Sequence, residues 1–172
     1  MSLIQLEKTL FRGPRPQGRR GFRELSELGI RTVLDMTTPR RATRNLDARR
    51  ALDYGLTPLS LSLSSWRVPD TYDVQSVLEV MTNPKWRPLY VHCHAGVDRT
   101  GFVCACYRVI VQGWSLEATL AEFRKLGRHP WFFWWDWFLP STVWLLQGNF
   151  VFDRDAVEDW RPGVIEFPFK ED

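Results

Sequence analysis

Cys93 and Arg99 are separated by five residues, and Thr100 and Gly101 follow at once. The whole segment reads His92-Cys93-His94-Ala95-Gly96-Val97-Asp98-Arg99-Thr100-Gly101. Its residue types suit an oxyanion such as phosphate. A loop can turn its backbone N–H groups inward, and the start of a helix adds positive potential. Gly96 lets backbone approach backbone with no Cβ between. Arg99 offers a fork that matches two phosphate oxygens. The same field favours a thiolate on Cys93, and a thiolate beneath a cradled phosphorus is an in-line nucleophile. The Thr100 hydroxyl is placed to donate to that sulfur and help it leave. The loop residues expected to hold phosphate are His94, Ala95, Gly96, Val97, Asp98 and Arg99, with His92 in support.

Plainer roles compete. A buried cysteine before a helix is usually core. His92-Cys93-His94 has the donor types of a zinc site, but adjacent side chains point in different directions and no second Cys/His cluster exists. No metal and no cofactor are expected. Strand, Cys, five residues, Arg, Thr, Gly and apolar helix together form a far more specific pattern than a lone glycine-rich loop.

The elements that must position this loop can be read from periodicity. Leu89 to Val91 forms a strand leading into His92 and Cys93. From Thr100 the chain is apolar nearly all round, as in a central buried helix, and Gly113 ends it. Phe22, Leu25 and Leu28 share one helical face, closed by Gly29. Thr32 to Met36 reads as a short buried strand, and Leu59, Leu61 and Leu63 alternate with serines as in another. Val74, Val77, Leu78 and Met81 follow an amphipathic helical period. Ser115 N-caps a helix with inner face Leu116, Leu120 and Phe123, which Gly127 can end. Trp131 to Phe138 is dominated by aromatics, with core packing the default. Val143 to Leu146 extends a last helix, and residues 150–172 read as an irregular tail. The alternation favours an α/β fold with a central, mostly parallel sheet flanked by helices.

Bulk properties set the frame. The 172 residues suit one domain, 1–172, with an aromatic C-terminal extension from about 128. Hydrophobic residues make up 44% and charged residues 25%, ordinary for a globular protein. A net charge of +3 suits anionic substrates but is too weak to indicate nucleic acid. Three cysteines do not make a disulfide framework, and a reducing, cytoplasmic home follows. No signal peptide or membrane-length apolar run is visible, so neither a nucleic-acid nor a membrane partner is expected.

The loop resembles the H-C-x5-R-[ST] signature of the protein tyrosine phosphatase superfamily. It is most similar to the compact dual-specificity branch, especially bacterial members with C-x-x-G-x-D-R-T-G. Phe11-Arg12-Gly13 and the stretch from Gly21-Phe22 to Asp35 resemble that family's opening pattern. Gly113 to Ala118 is similar to the start of its helix after the loop. The resemblance covers roughly residues 10–126. It implies a dual-specificity-phosphatase-like fold, a phosphocysteine intermediate and no metal.

A leaving oxygen needs a proton, usually from a carboxylic acid. The family's aspartate, aligned through Pro69, falls opposite Ser65 here. Two substitutes are available. Asp98 lies inside the loop, beside Arg99, as in the myotubularin-like branch; it is the favoured acid, and a loop-shaping ion pair or hydrogen bond is its bland alternative. Asp70 follows Val68-Pro69, which resembles the W-P-D element, but it also stands where a helix N-cap belongs. Substrate signals are weaker. Arg40, Arg41, Arg44, Arg49 and Arg50 accompany one acid, Asp47, and fit either recognition of extra phosphates or a solvated helix face. The sequence favours a phosphomonoesterase acting on phosphotyrosine and on phosphoserine or phosphothreonine. An inositol phosphate or phosphoinositide phosphatase, an RNA 5′-triphosphatase and a phosphate-binding module without turnover remain as alternatives. The partner is a phosphorylated protein or a small phosphorylated molecule.

Overall fold

Short apolar runs alternating with amphipathic segments build the strands β1 (Ile4–Glu7), β2 (Leu10–Gly13), β3 (Thr32–Asp35), β4 (Thr57–Ser60) and β5 (Leu89–His92). Between and after them lie the helices α1 (Gly18–Glu27), α2 (Arg41–Asp53), α3 (Thr71–Thr82), α4 (Asp98–Ile110), α5 (Leu116–Lys125) and α6 (Trp134–Asn149). The structure, a computed structural model, describes residues 3–38, 41–64, 67, 69–126 and 134–149, without the side chains of 41, 42, 44, 134 and 149. Gly127, Trp131 to Phe133 and the expected tail lie outside the described residues, as do Ser65, Trp66 and Val68.

The strands form one sheet in the order β1-β2-β5-β3-β4. β1 runs antiparallel to β2, and every other pairing is parallel. This is the mostly parallel, helix-flanked α/β fold expected. Side chains alternate across it. Tyr90 and Val33 join Phe22, Leu25, Ala51 and Leu56 on the α1/α2 face. Leu10, Leu34, Leu89 and Val91 join the larger core under α3, α4 and α6. α4 is buried all round from Asp98 to Arg108, as its apolar run predicts.

Three details differ from the periodicity. Phe22 and Leu25 are buried, but Leu28 is 61% exposed. Leu28 is already the C-cap, and the chain turns through Gly29 at φ +76°. The N–H groups of Gly29 and Ile30 donate to Ser26 (2.9 Å) and Leu25 (3.1 Å), and Ile30 takes the buried place. The strand expected around Leu59 to Leu63 instead spans Thr57–Ser60. Its ladder partner β3 ends at Asp35, so Leu61 and Leu63 stay outside the strand, donating to Asp35 and Met36 at 3.1 Å. The aromatic block splits. Trp135 is core, whereas Trp137 and Phe138 are exposed.

Far from the loop, α4 is tied to the β1 edge by a polar cluster. Tyr107 and Gln112 both donate to Glu7 at 2.8 Å, and Arg87 pairs with the same carboxylate at 3.2 Å. Those bonds hold the Glu7 carboxyl below its usual range, against desolvation, which pushes it up. Arg108 binds Glu122 of α5 at 2.7 Å and lies 4.2 Å from the Trp114 ring. On the other side, Trp135 of α6 meets Phe102 edge-on at 4.9 Å, and Arg124 of α5 binds Asp136 at 2.9 Å.

α6 is thereby integral to the core. Trp135→Ala is expected to cost about 3–5 kcal/mol in denaturant unfolding. Trp144→Ala, at a site 73% exposed, should change stability by less than about 0.5 kcal/mol. Equal effects from the two would show that α6 does not pack as described.

Candidate active site

Four parallel strands end in one row. Gly13 of β2 is paired with His92 of β5, His92 with Asp35 of β3, and Asp35 with Ser60 of β4. The chain beyond each lies at the carboxyl edge, where α/β folds build their sites. The segment 93–97 leaves β5 there and enters α4 at Asp98.

That loop is held from behind by the exit of β2. The Arg15 N–H donates to the His94 carbonyl at 3.0 Å, and Arg12 Nη2 donates to the Gly96 carbonyl at 2.7 Å. A trans peptide sets its C=O and N–H on opposite edges. With those two carbonyls turned toward β2, the N–H groups of Ala95 and Val97 point away from it. The first N–H groups of α4 add orphan donors, since the ladder opens with Gly101 N–H on Val97 O at 2.9 Å. Gly96 has φ +77°, and a Cβ there would fall inside the backbone of Gly13 and within 2.5 Å of Pro14 N. Glycine is required at that crossing.

The β2 exit is itself anchored. The Tyr90 hydroxyl donates to the Pro14 carbonyl at 2.7 Å. Burial, with the charge of Cys93 adding to it, pushes the Tyr90 phenol above its ordinary range, so it stays a donor. Arg15 Nε donates to Asp47 of α2 at 2.6 Å, and Arg50 pairs with the other oxygen of that carboxylate at 3.1 Å. Neither Arg12, Arg15, Asp47 nor Tyr90 was predicted as a site residue. Arg12 and Gly13 stood in the family's opening pattern, but no residue-level signal linked them to a loop more than eighty positions away.

His92 is fully buried on the Tyr90 side, its Nδ1 3.0 Å from the Cys93 carbonyl and 3.8 Å from Asp35 Oδ1. Burial pushes the imidazole below its ordinary range, and the Asp35 charge only partly opposes this. Asp35 is fixed by the N–H (2.8 Å) and hydroxyl (3.0 Å) of Thr37.

Cys93 is 2% exposed. Arg99, also buried, donates through Nη1 to the carbonyl of Leu63 at 3.2 Å, with that of Met36 at 3.5 Å. Its guanidinium is thus aimed by the chain leaving β3 and β4. The Thr100 hydroxyl is buried without a hydrogen-bond partner, so the expected bond to the Cys93 sulfur is not formed here. Asp98 is buried in the first turn of α4, where a negative charge meets the positive end of the helix. Asp70 is exposed and caps α3, accepting from the Tyr72 N–H at 2.9 Å. His94 is exposed. Among the described residues no group of three His, Cys, Asp or Glu side chains is arranged to hold a metal. No described helix is long and apolar enough to cross a membrane.

Solved structures share this architecture. The TpbA phosphatase of Pseudomonas aeruginosa, a cysteine-to-serine variant bound to phosphotyrosine, superposes with TM-score 0.70 at 25% identity, over 86% of this chain and 91% of that one. The catalytic core of the PP-IP phosphatase SIW14 of Saccharomyces cerevisiae, bound to citrate, also gives 0.70, at 21% identity over 86% and 92% of the two chains. In sequence, the dual specificity protein phosphatase TpbA of P. aeruginosa strain UCBPP-PA14 is 28% identical over 130 residues. That alignment covers 74% of this chain but 55% of the relative, so the chain spans about half the length of that curated protein. Fold and similarity together place the chain in the dual-specificity-like class of the protein tyrosine phosphatase superfamily. A family profile described as "DSP-PTPase phosphatase fused to NAD+ Kinase" matches residues 3–129. The chain belongs to that family.

The buried imidazole predicts a pH dependence. Burial holds the folded His92 imidazole below the value near 6.5 at which it titrates when unfolded. As pH falls below about 6.5 the unfolded chain takes up the extra proton, so stability is lost with acid, by at most about 1.4 kcal/mol per pH unit. Urea unfolding between pH 7 and 5 should show a shallower slope for His92→Gln than for wild type. Parallel slopes would refute the burial argument.

Proposed function

We propose that this domain hydrolyses phosphomonoesters, phosphotyrosine first, through a phosphocysteine formed on Cys93. One observation carries the reading: the carbonyls of His94 and Gly96 are tied back to β2, which leaves the loop N–H groups and the start of α4 to an oxyanion above Cys93. The Cys93 thiolate attacks phosphorus, and the bond from phosphorus to the ester oxygen breaks. Arg99 and the loop amides hold the three other oxygens. The departing oxygen takes a proton from Asp98, with Asp70 the second candidate. Water then attacks the phosphocysteine, giving a proton to the carboxylate that the first step left. The sulfur–phosphorus bond breaks, the thiolate returns, the Thr100 hydroxyl eases its departure, and inorganic phosphate is released.

Asp98 is favoured because it is buried at the loop, whereas the Asp70 carboxylate is engaged in capping. Phosphotyrosine is bound in the TpbA variant's structure, which supports it here. The 40% identity over 50 residues to the inositol diphosphatase SIW14 of Saccharomyces cerevisiae supports inositol phosphates as a second reading. Against that reading, Arg15 and Arg50 share the Asp47 carboxylate, which offsets one of their two charges.

Cys93→Ser should abolish phosphate release from phosphotyrosine peptides, and retained activity would end the mechanism. The acid is identified with two esters. Asp98→Asn should lower kcat by about 100-fold or more on phenyl phosphate, a poor leaving group, and far less on para-nitrophenyl phosphate. Asp70→Asn should affect both esters alike. The reverse pattern moves the acid to Asp70. A panel of phosphopeptides, inositol phosphates and 5′-triphosphate RNA ranks the substrates, and no release from any of them would leave only phosphate binding.

A further inference from the structure

The alternation of β2 calls for an apolar residue at position 12. Leu10, two residues earlier, belongs to the core under α4, and Arg12 is paired with Val91, another member of that core. Yet the residue is an arginine, 1% exposed. Its Nη2 reaches the Gly96 carbonyl at 2.7 Å, and its Nε is buried with no partner. None of the ion pairs among the described residues includes it. Leucine or methionine would fill such a place at no electrostatic cost. An interior guanidinium with no carboxylate is expensive unless another anion answers it.

The surroundings make room for it. A Cβ on Gly101 would lie 3.4 Å from Arg12 Nη2 and 2.5 Å from the Phe123 ring. Glycine in the first turn of α4 therefore lets the guanidinium lie beneath the helix while α5 closes over it. Arg12 and Cys93 act on the same two buried neighbours with opposite sign. The Cys93 charge pushes the Tyr90 phenol and the Cys104 thiol up, and the Arg12 charge pulls both down. Both charges therefore lie within electrostatic reach of Tyr90 and Cys104.

We propose that Arg12 is a positioning residue, the buried cation that keeps the Gly96 carbonyl out of the anion cradle and balances the Cys93 thiolate from below. It rests on the reading that Cys93 works as a thiolate. Arg99 grips the substrate's oxygens, while Arg12 serves the enzyme's own anion before substrate arrives. The other titratable groups around the loop are Arg99 and Asp98 of α4, His92 and Tyr90 of β5, Asp35 of β3, His94, and the Arg15–Asp47 pair. Arg12 differs from them in being a buried charge on the face of β2 that underlies α4.

The test titrates the thiolate by its ultraviolet absorbance, as the difference between each protein and its own Cys93→Ser counterpart. Cys104, pushed up to about 11, and Cys106, pushed up further by burial, cancel in that difference. Arg12→Gln keeps a donor for Gly96 O and drops the charge. Its midpoint should rise by about one pH unit or more relative to wild type, whereas Arg12→Lys should stay within about half a unit. A folded Arg12→Gln protein with an unmoved midpoint overturns the proposal. Should the glutamine variant not fold, Arg12→Met takes its place: a midpoint raised by a full unit or more supports charge as the cause, and an unmoved midpoint removes it. A purely structural role would lower turnover in both variants without moving the titration. The readout needs no turnover, so it is independent of the Cys93→Ser activity test of the phosphatase reading.

Discussion

Two stretches of backbone cross where Gly96 lies against Gly13 and Pro14, and most of the site depends on that crossing. Neither side leaves room for a Cβ at position 96. The contact brings the loop within hydrogen-bond reach of β2, so Arg12 and the Arg15 N–H can take two loop carbonyls. Peptide planarity then turns the amides the other way. An anion cradle is thus made by tying down the acceptors, with the donors oriented as a consequence. Such preorganised donors cost little to reorient when charge develops, which is what makes them effective in transition-state stabilisation.

The sheet order serves the same contact. β5 lies between β2 and β3, so the loop leaving it has a strand exit on each side. From the β2 side come the bonds to His94 and Gly96; from beyond β3 come the Met36 and Leu63 carbonyls that aim Arg99. The cluster around Glu7 and Arg108 pins the far end of α4 to β1 and α5. A helix anchored there and buried along most of its length cannot slide, and its N-terminus stays registered against Cys93. Rigid supports of this kind matter because small misplacements of catalytic groups are costly in rate.

The short-range part of this could be read from the residues alone. Strand β5, helices α3 and α4, the Ser115 cap and the turn at Gly29 announce themselves by period and cap chemistry. The α/β class follows from the alternation. What could not be read is pairing across distance. Arg12 lies 84 positions from Gly96, and Arg15 lies 32 from Asp47. Asp47 looked like one acid in a basic, solvated stretch, but it is buried between two arginines because α2 packs beside the β2 exit. Leu28 and Leu61 misled for a local reason: periodicity continues in the residue types after the backbone has left the element. The Thr100 hydroxyl shows a further limit, since residue type marks a donor but not where it points.

The distribution of charge argues about selectivity as well as rate. Asp47 pairs with both Arg15 and Arg50, so one negative charge is shared between two positive ones beside the β2 exit. Arg99 sits among backbone carbonyls, which orient a guanidinium without neutralising it, and its charge remains for the substrate. Arg99 thereby supplies cationic character at the loop itself. A guanidinium held in that way matches two oxygens of one phosphoryl group. A ring of phosphates would need cations at several separated points, and the Asp47 carboxylate offsets one of the two charges that Arg15 and Arg50 bring.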